Sequence, residues 1–274
     1  MQLHTIHAGM FKLDGGAMFG VVPKSMWNKL NPADANNMCS WAMRCLLIED
    51  GERLILIDNG MGNKQDEKFF GHYYLHGDYS LEKSLNEKGF TRDDITDVFL
   101  THLHFDHCGG SIVRNVNGLF EPAFKNATYW SHSKHWQWAV EPNAREKASF
   151  LKENILPIQE SGHLKFFDQQ NTLPTYFNAE IVCGHTESMM LPSIKYKDYT
   201  ILFVADLFPS AAHIPLPFIM AYDTRPLLTL SEKEQILVKG VQTKTVLFFE
   251  HDPMIECCSL VLTEKGVRPN DTFN

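Results

Sequence analysis

A chain of 274 residues, 44% hydrophobic, 12% aromatic and 21% charged, can bury a sizeable core, which excludes disordered, collagen-like and low-complexity classes. Thirty-three acidic against 25 basic residues give a formal net charge of −8, so a nucleic-acid surface would have to be built against the average field, and none is expected. No run approaches the roughly 18 consecutive apolar residues of a membrane span, and Met1-Gln2-Leu3-His4 carries no basic segment followed by an apolar one. The expected location is cytoplasmic, with export open if a leader has been removed.

Along the chain, Met18 to Pro23 reads as a short apolar turn, followed by a loop containing Trp27 and the polar stretch Asn31 to Asn37. Residues 1–40 are therefore expected to include a flap over an active site. Trp41 to Ile48 and Arg53 to Ile57 are β-rich runs joined through Asp50-Gly51, the signal of an antiparallel hairpin. Ser80 caps a predicted helix with Leu81 and Leu85 on one face, stopped at Gly89. Asp97 to Leu100 is an apolar strand running into a histidine cluster. Residues 131–156 read as mainly helical, broken around Pro142.

Further strands are expected at 164–167, 180–183, 193–196, 200–204 and 245–249, with a helix opening at Ser231 before the last of them. Strands thus fall into two groups, 41–100 and 164–249, with helices between and after. That order predicts two mixed β-sheets face to face with helices outside, a four-layer αβ/βα sandwich. With no repeat and no Pro/Gly/Ser linker, 1–274 is expected to be a single domain. The six cysteines form no CxxC pair and read as free, mostly buried thiols.

Chemistry concentrates in Thr101-His102-Leu103-His104-Phe105-Asp106-His107-Cys108-Gly109-Gly110. Three His and one Asp at specified positions should coincide by chance at roughly one position in 10⁵. His102 and His104, two apart on extended chain, project to the same side, and Asp106 and His107 follow where the chain turns. Imidazole and carboxylate donors without paired thiolates suit borderline divalent ions such as zinc, iron, cobalt or manganese.

This H-x-H-x-D-H segment after an apolar strand resembles that of the metallo-β-lactamase superfamily. The likeness extends to Gly184-His185-Thr186, to Asp206 ending the run from Phe203, and to His251 after Phe248-Phe249-Glu250. It implies that His102, His104 and His185 bind one metal, that Asp106, His107 and His251 bind a second, and that Asp206 bridges them. The implied cofactor is two divalent ions, zinc first, with a hydroxide between them as nucleophile and Asp106 as the group that hands a proton to the leaving group. Asp58, before Asn59-Gly60, resembles the family's strand-ending Asp in D[TS]G, which orients a ligand histidine from outside; here Asn replaces Thr or Ser.

Within the superfamily, His at 104 and the absence of a flavin domain disfavour the oxygen-reducing branch. The chain has no room for a nuclease arm. A glutathione thioesterase of the glyoxalase II kind needs a basic helical end, and residues 252–274 offer only Lys265 and Arg268. The motif resembles most closely the SHLHFDHAGG form of the quorum-quenching N-acyl-homoserine lactonases, which implies opening of an ester ring. An arylesterase or phosphotriesterase of the methyl-parathion-hydrolase type is the second reading, the thioesterase the third and a non-catalytic binding module the last.

One departure concerns the carbonyl-polarising Tyr that many such lactonases carry three residues after the bridging Asp. Here Leu207, Phe208 and Pro209 follow Asp206, which leaves Tyr222 first and His213 second as donors. Met18, Phe19, Phe218 and Met220 are the expected apolar substrate contacts. The expected partners are a small ester or lactone and, for assembly, a second copy of the chain.

Overall fold

The computed structural model describes residues 1–273. Fourteen strands are β1 Gln2–Asp14, β2 Met38–Glu49, β3 Leu54–Ile57, β4 Asp97–Phe99, β5 Ile112–Arg114, β6 Phe120–Pro122, β7 Thr128–Ser131, β8 Leu164–Phe166, β9 Phe177–Val182, β10 Met189–Tyr196, β11 Tyr199–Phe203, β12 Thr245–Phe248, β13 Cys257–Thr263 and β14 Gly266–Phe273. Two six-stranded sheets result, one in the order β1-β2-β3-β4-β7-β8 and one in the order β14-β13-β12-β11-β10-β9; β5 and β6 form a separate ribbon. The chain divides into two compact units, one of Met1–Gly9 and Met43–Leu173, the other of Met10–Ala42 and the chain from Pro174 onward.

In the first unit the Asp50-Gly51 turn joins β2 and β3 antiparallel, as expected, and β3, β4, β7 and β8 continue in parallel. Parallel strands buried on both faces read as continuous apolar runs, and Leu54-Ile55-Leu56-Ile57 is one. The core gathers Leu47, Leu56, Val98, Leu100 and Tyr129 against Leu81 and Leu85 of the helix Leu81–Glu87. Ser80 caps that helix, its hydroxyl accepting from the Lys83 N–H. Residues 131–156 hold a helix at Ser133–Val140 and the start of a second at Lys152–Glu160, with irregular chain between.

In the second unit β11 and β12 are parallel and their neighbours antiparallel. The helix between them runs from Pro226 to Gln242, five residues earlier than expected. Pro226 takes the first helical position, where a missing N–H costs nothing. Residues 1–40 open with the 13-residue strand β1, continue through the two short helices Gly15–Phe19 and Lys24–Trp27 with their loops, and end in the start of β2. Among the described residues no helix is long and apolar enough to cross a membrane.

Candidate metal centre

The first unit supplies four ligand-type side chains from one loop. Chain leaving β3 turns at Asp58, whose φ of 55° holds a Cβ-bearing residue in the left-handed region. Chain leaving the parallel neighbour β4 becomes the histidine loop. Three backbone bonds tie the two together: Asp58 N–H donates to Phe99 O, Asn59 N–H to His107 O and Gly110 N–H to Gly60 O. Gly109 and Gly110 are dictated by this approach, since a Cβ would stand 2.1 Å from Met61 O and 2.2 Å from Asn59 O respectively.

Asp58 is fully buried and accepts from the Thr101 N–H (2.8 Å) and the Thr101 hydroxyl (2.6 Å), while His107 Nδ1 lies 3.1 Å from its Oδ2. A carboxylate only accepts, so His107 carries its proton on Nδ1 and presents Nε2 as an acceptor. The Thr101 oxygen has given its hydrogen to Asp58 and can accept from His102 Nδ1 at 3.1 Å, which likewise makes His102 Nε2 an acceptor. His104 is set the other way round. Its Nε2 faces the buried Glu146 carboxylate at 3.6 Å, and its Nδ1 faces His102 Nε2 at 3.1 Å. A single proton or a cation between those two nitrogens satisfies both. The ligand atoms of Asp106 and His107 also lie within 4.8 Å of each other.

The second unit repeats this logic. His185 follows β9, Asp206 follows β11, and His251 follows β12, the parallel partner of β11. His185 Nδ1 is held by Asp223 at 2.8 Å and His251 Nδ1 by the Ala42 carbonyl at 2.7 Å, so in both rings Nε2 is the nitrogen left for a ligand. Those two Nε2 atoms each stand 3.1 Å from an oxygen of the same Asp206 carboxylate. Burial alone would lower the His185 pKa, but the Asp206 and Asp223 carboxylates override it and push it up to about 10, so without a metal the site holds a proton. Anchored imidazoles and a shared carboxylate are the donor chemistry of a divalent ion. The residues present in both units fit that group.

Several residues that set this geometry carry no sequence pattern. Glu146, Asp223 and His135, which accepts the Leu103 N–H at 2.8 Å, orient the ligands or their loop. Glu232 accepts the N–H groups of Cys183 (2.7 Å) and Gly184 (2.9 Å), and Asp252 accepts those of Ala211, Met254 and Ile255. Gly184 permits the helix to come this close, because a Cβ would lie 2.4 Å from Thr229 N.

The expected carbonyl donor His213 is corrected by its surroundings. It is buried, its Nδ1 meets Ser210 Oγ at 2.8 Å, its Nε2 meets Met18 O at 2.9 Å, and its ring stacks on Phe19. Burial first holds its pKa down to about 3, so it is a neutral packing residue. Met18, Phe19 and Met220 are buried as well, Phe19 lying against Trp27 and His213, and of the four expected contacts Phe218 alone retains surface. Tyr222 is 40% exposed. In the first unit a half-buried aromatic group that sequence did not single out, Phe69 and Tyr73 on Phe105, packs beside the motif.

Parallel strands whose carboxyl ends deliver anchored His and Asp donors in a mixed α/β fold define a metal-dependent hydrolase class. The model of the metallo-β-lactamase superfamily matches residues 44–248, and the chain belongs to that superfamily. The expected fold class is thus the one found. The chain is 24% identical over 268 residues to the N-acyl homoserine lactonase AiiA of Bacillus thuringiensis subsp. kurstaki, covering 92% of this chain and 93% of that protein. A solved Staphylococcus aureus protein described as a probable metal-dependent hydrolase is 26% identical with a TM-score of 0.88, covering 100% of this chain and 98% of that one. AidC, a dizinc quorum-quenching lactonase solved with an N-acyl homoserine product, is 23% identical with a TM-score of 0.80, over 99% and 95% of the two chains.

Proposed function

We propose that this chain is a dinuclear-metal hydrolase that opens lactone rings, with N-acyl-homoserine lactones as its substrates. In this reading His102, His104 and His185 hold one divalent ion, Asp106, His107 and His251 hold a second, and Asp206 is shared; zinc is the proposed metal. The observation that carries the reading is the set of anchored imidazoles whose remaining nitrogens face one another in the first unit and the Asp206 carboxylate in the second. The lactone part rests on the relatives and on the SHLHFDHAGG-like motif.

When bound, the ions supply Lewis acidity toward the ester carbonyl and a water that ionises near neutral pH. The chain's own residues do the rest. Asp58, Asp223, Glu146 and the Ala42 carbonyl fix which nitrogen of each histidine is offered. Asp106 is the group that passes a proton to the alkoxide leaving the opened ring. Tyr222, with its hydroxyl on a half-exposed ring, is the proposed donor to the developing oxyanion. Apolar surface for an acyl chain is offered by Phe69 and Tyr73 in the first unit and by Phe218 in the second.

A hydrolysis panel on metal-loaded protein tests this. Each buried methylene contributes about 0.8 kcal/mol, so lengthening the acyl chain by four carbons is expected to raise kcat/KM by up to roughly two orders of magnitude until the apolar surface is covered. Should a glutathione thioester or an aryl phosphotriester exceed the best lactone by about tenfold, a transition-state difference of roughly 1.4 kcal/mol, the lactone assignment falls and the dinuclear hydrolase remains.

A further inference from the structure

We propose that a cavity in the first unit, lined by Asn63, Lys64, Glu82, Arg92, Val113 and Arg114, binds a phosphate-type oxyanion. None of these residues belongs to the metal-ligand set. The cavity is an open cleft of about 450 Å³, enough for a small ligand. Three cations and one carboxylate line it, leaving two positive charges in a chain whose formal charge is −8. Glu82, the one acid in the lining, is 70% exposed at its side chain and pairs with Arg92 Nε at 3.9 Å.

The cations are held in place before any ligand arrives. Arg114 Nε donates to Lys64 O and its Nη1 to Gly118 O, and its guanidinium lies 4.5 Å from the Phe120 ring centroid. Arg92 sits 5.9 Å from the centroid of Phe124. Aromatic faces of this kind fix the plane of a guanidinium, and a fixed fork suits phosphate. Lys64 is 5% exposed and donates its Nζ to the Gly109 carbonyl, a partner that brings no negative charge.

Burial lowers the Lys64 pKa to about 8; attraction to Cys108 and Glu153 opposes it, and weaker repulsion from Arg114 and Arg92 adds to it. A dianionic tetrahedral group would match two positive charges, whereas one carboxylate would leave half of the excess unbalanced. The chemistry shared by inorganic phosphate and a phosphomonoester is what the cavity recognises.

Calorimetric titration of inorganic phosphate into the full metal-loaded chain tests the assignment. Phosphate also coordinates metals, so Asp206→Ala separates the two sources. Saturable binding of one equivalent is expected to persist in Asp206→Ala and in the surface control Lys125→Gln, and to weaken at least tenfold in Arg114→Met. Glu82→Gln removes the exposed acid without touching a buried group and is expected to tighten binding severalfold, which keeps the test decisive if Arg114→Met fails to fold. Displacement by glycerol phosphate would identify the ligand as a phosphomonoester, and resistance to it would identify the free ion. Absence of saturable binding, or binding lost in Asp206→Ala and indifferent to Arg114→Met and Glu82→Gln, would overturn the proposal.

Discussion

Asp58 shows how much of a metal centre is set by a residue that holds no metal. Its two oxygens take the Thr101 N–H, the Thr101 hydroxyl and His107 Nδ1, fully out of solvent. Asp58→Asn keeps the shape but turns one acceptor into a donor facing a donor. Metal affinity is expected to fall ten- to a hundredfold with the far-ultraviolet circular dichroism unchanged, as measured by competition with a chromogenic chelator. His213 sets a pH limit of a different kind. Its folded pKa, about 3, lies below its ordinary value of 6.5, so the unfolded chain takes up the proton first. The stabilisation is complete above pH 6.5 and is lost as pH falls toward 3, by about 1.4 kcal/mol per pH unit within that window. Urea titrations from pH 7 to 4 are expected to show this slope, and His213→Gln to flatten it. The proposed ligands were legible in the sequence because four of them share one short segment and the other three end apolar runs. Glu146, Asp223 and Glu232 were not, because a lone carboxylate far along the chain has no pattern until folding places it beside its histidine or loop.

At the scale of elements, the helix Pro226–Gln242 contributes a buried cation to the loop before it. Lys233 is fully buried and its Nζ reaches the carbonyls of Pro215 (3.0 Å), Leu216 (3.3 Å) and Phe218 (2.8 Å). Burial lowers its pKa to about 7, so the helix carries a costly group whose return is the shape of the 215–218 loop. Lys233→Met leaves three carbonyls without this donor. A loss of about 2 kcal/mol is expected in urea unfolding, together with a kcat/KM that falls more for long-chain than for short-chain lactones. An equal fall for both would disconnect the loop from the acyl chain. The β2–β3 hairpin and the Ser80-capped helix were readable because turn and cap chemistry is local. Strands β13 and β14 were not: Pro269, Asn270 and Asp271 are poor strand formers, and pairing with β13 overrides their propensity. In β1 the alternation is interrupted by His4, His7 and Gly9.

For the whole molecule, the recurrent feature is a parallel pair of strands whose carboxyl ends carry the donors, β3 with β4 in one unit and β11 with β12 in the other. In each unit an acceptor-only oxygen fixes the histidine tautomer, so that the opposite nitrogen is offered to a cation. The central claim is that seven such side chains serve two ions. The direct measurement is a titration of zinc into metal-free protein, following bound metal by mass spectrometry and lactone hydrolysis in the same samples. Activity is expected to reach its maximum at about two equivalents per chain, and in Asp206→Ala both the second equivalent and the activity should be lost. Full activity at a single equivalent, with no second ion bound, would contradict the shared carboxylate and the dinuclear centre built on it.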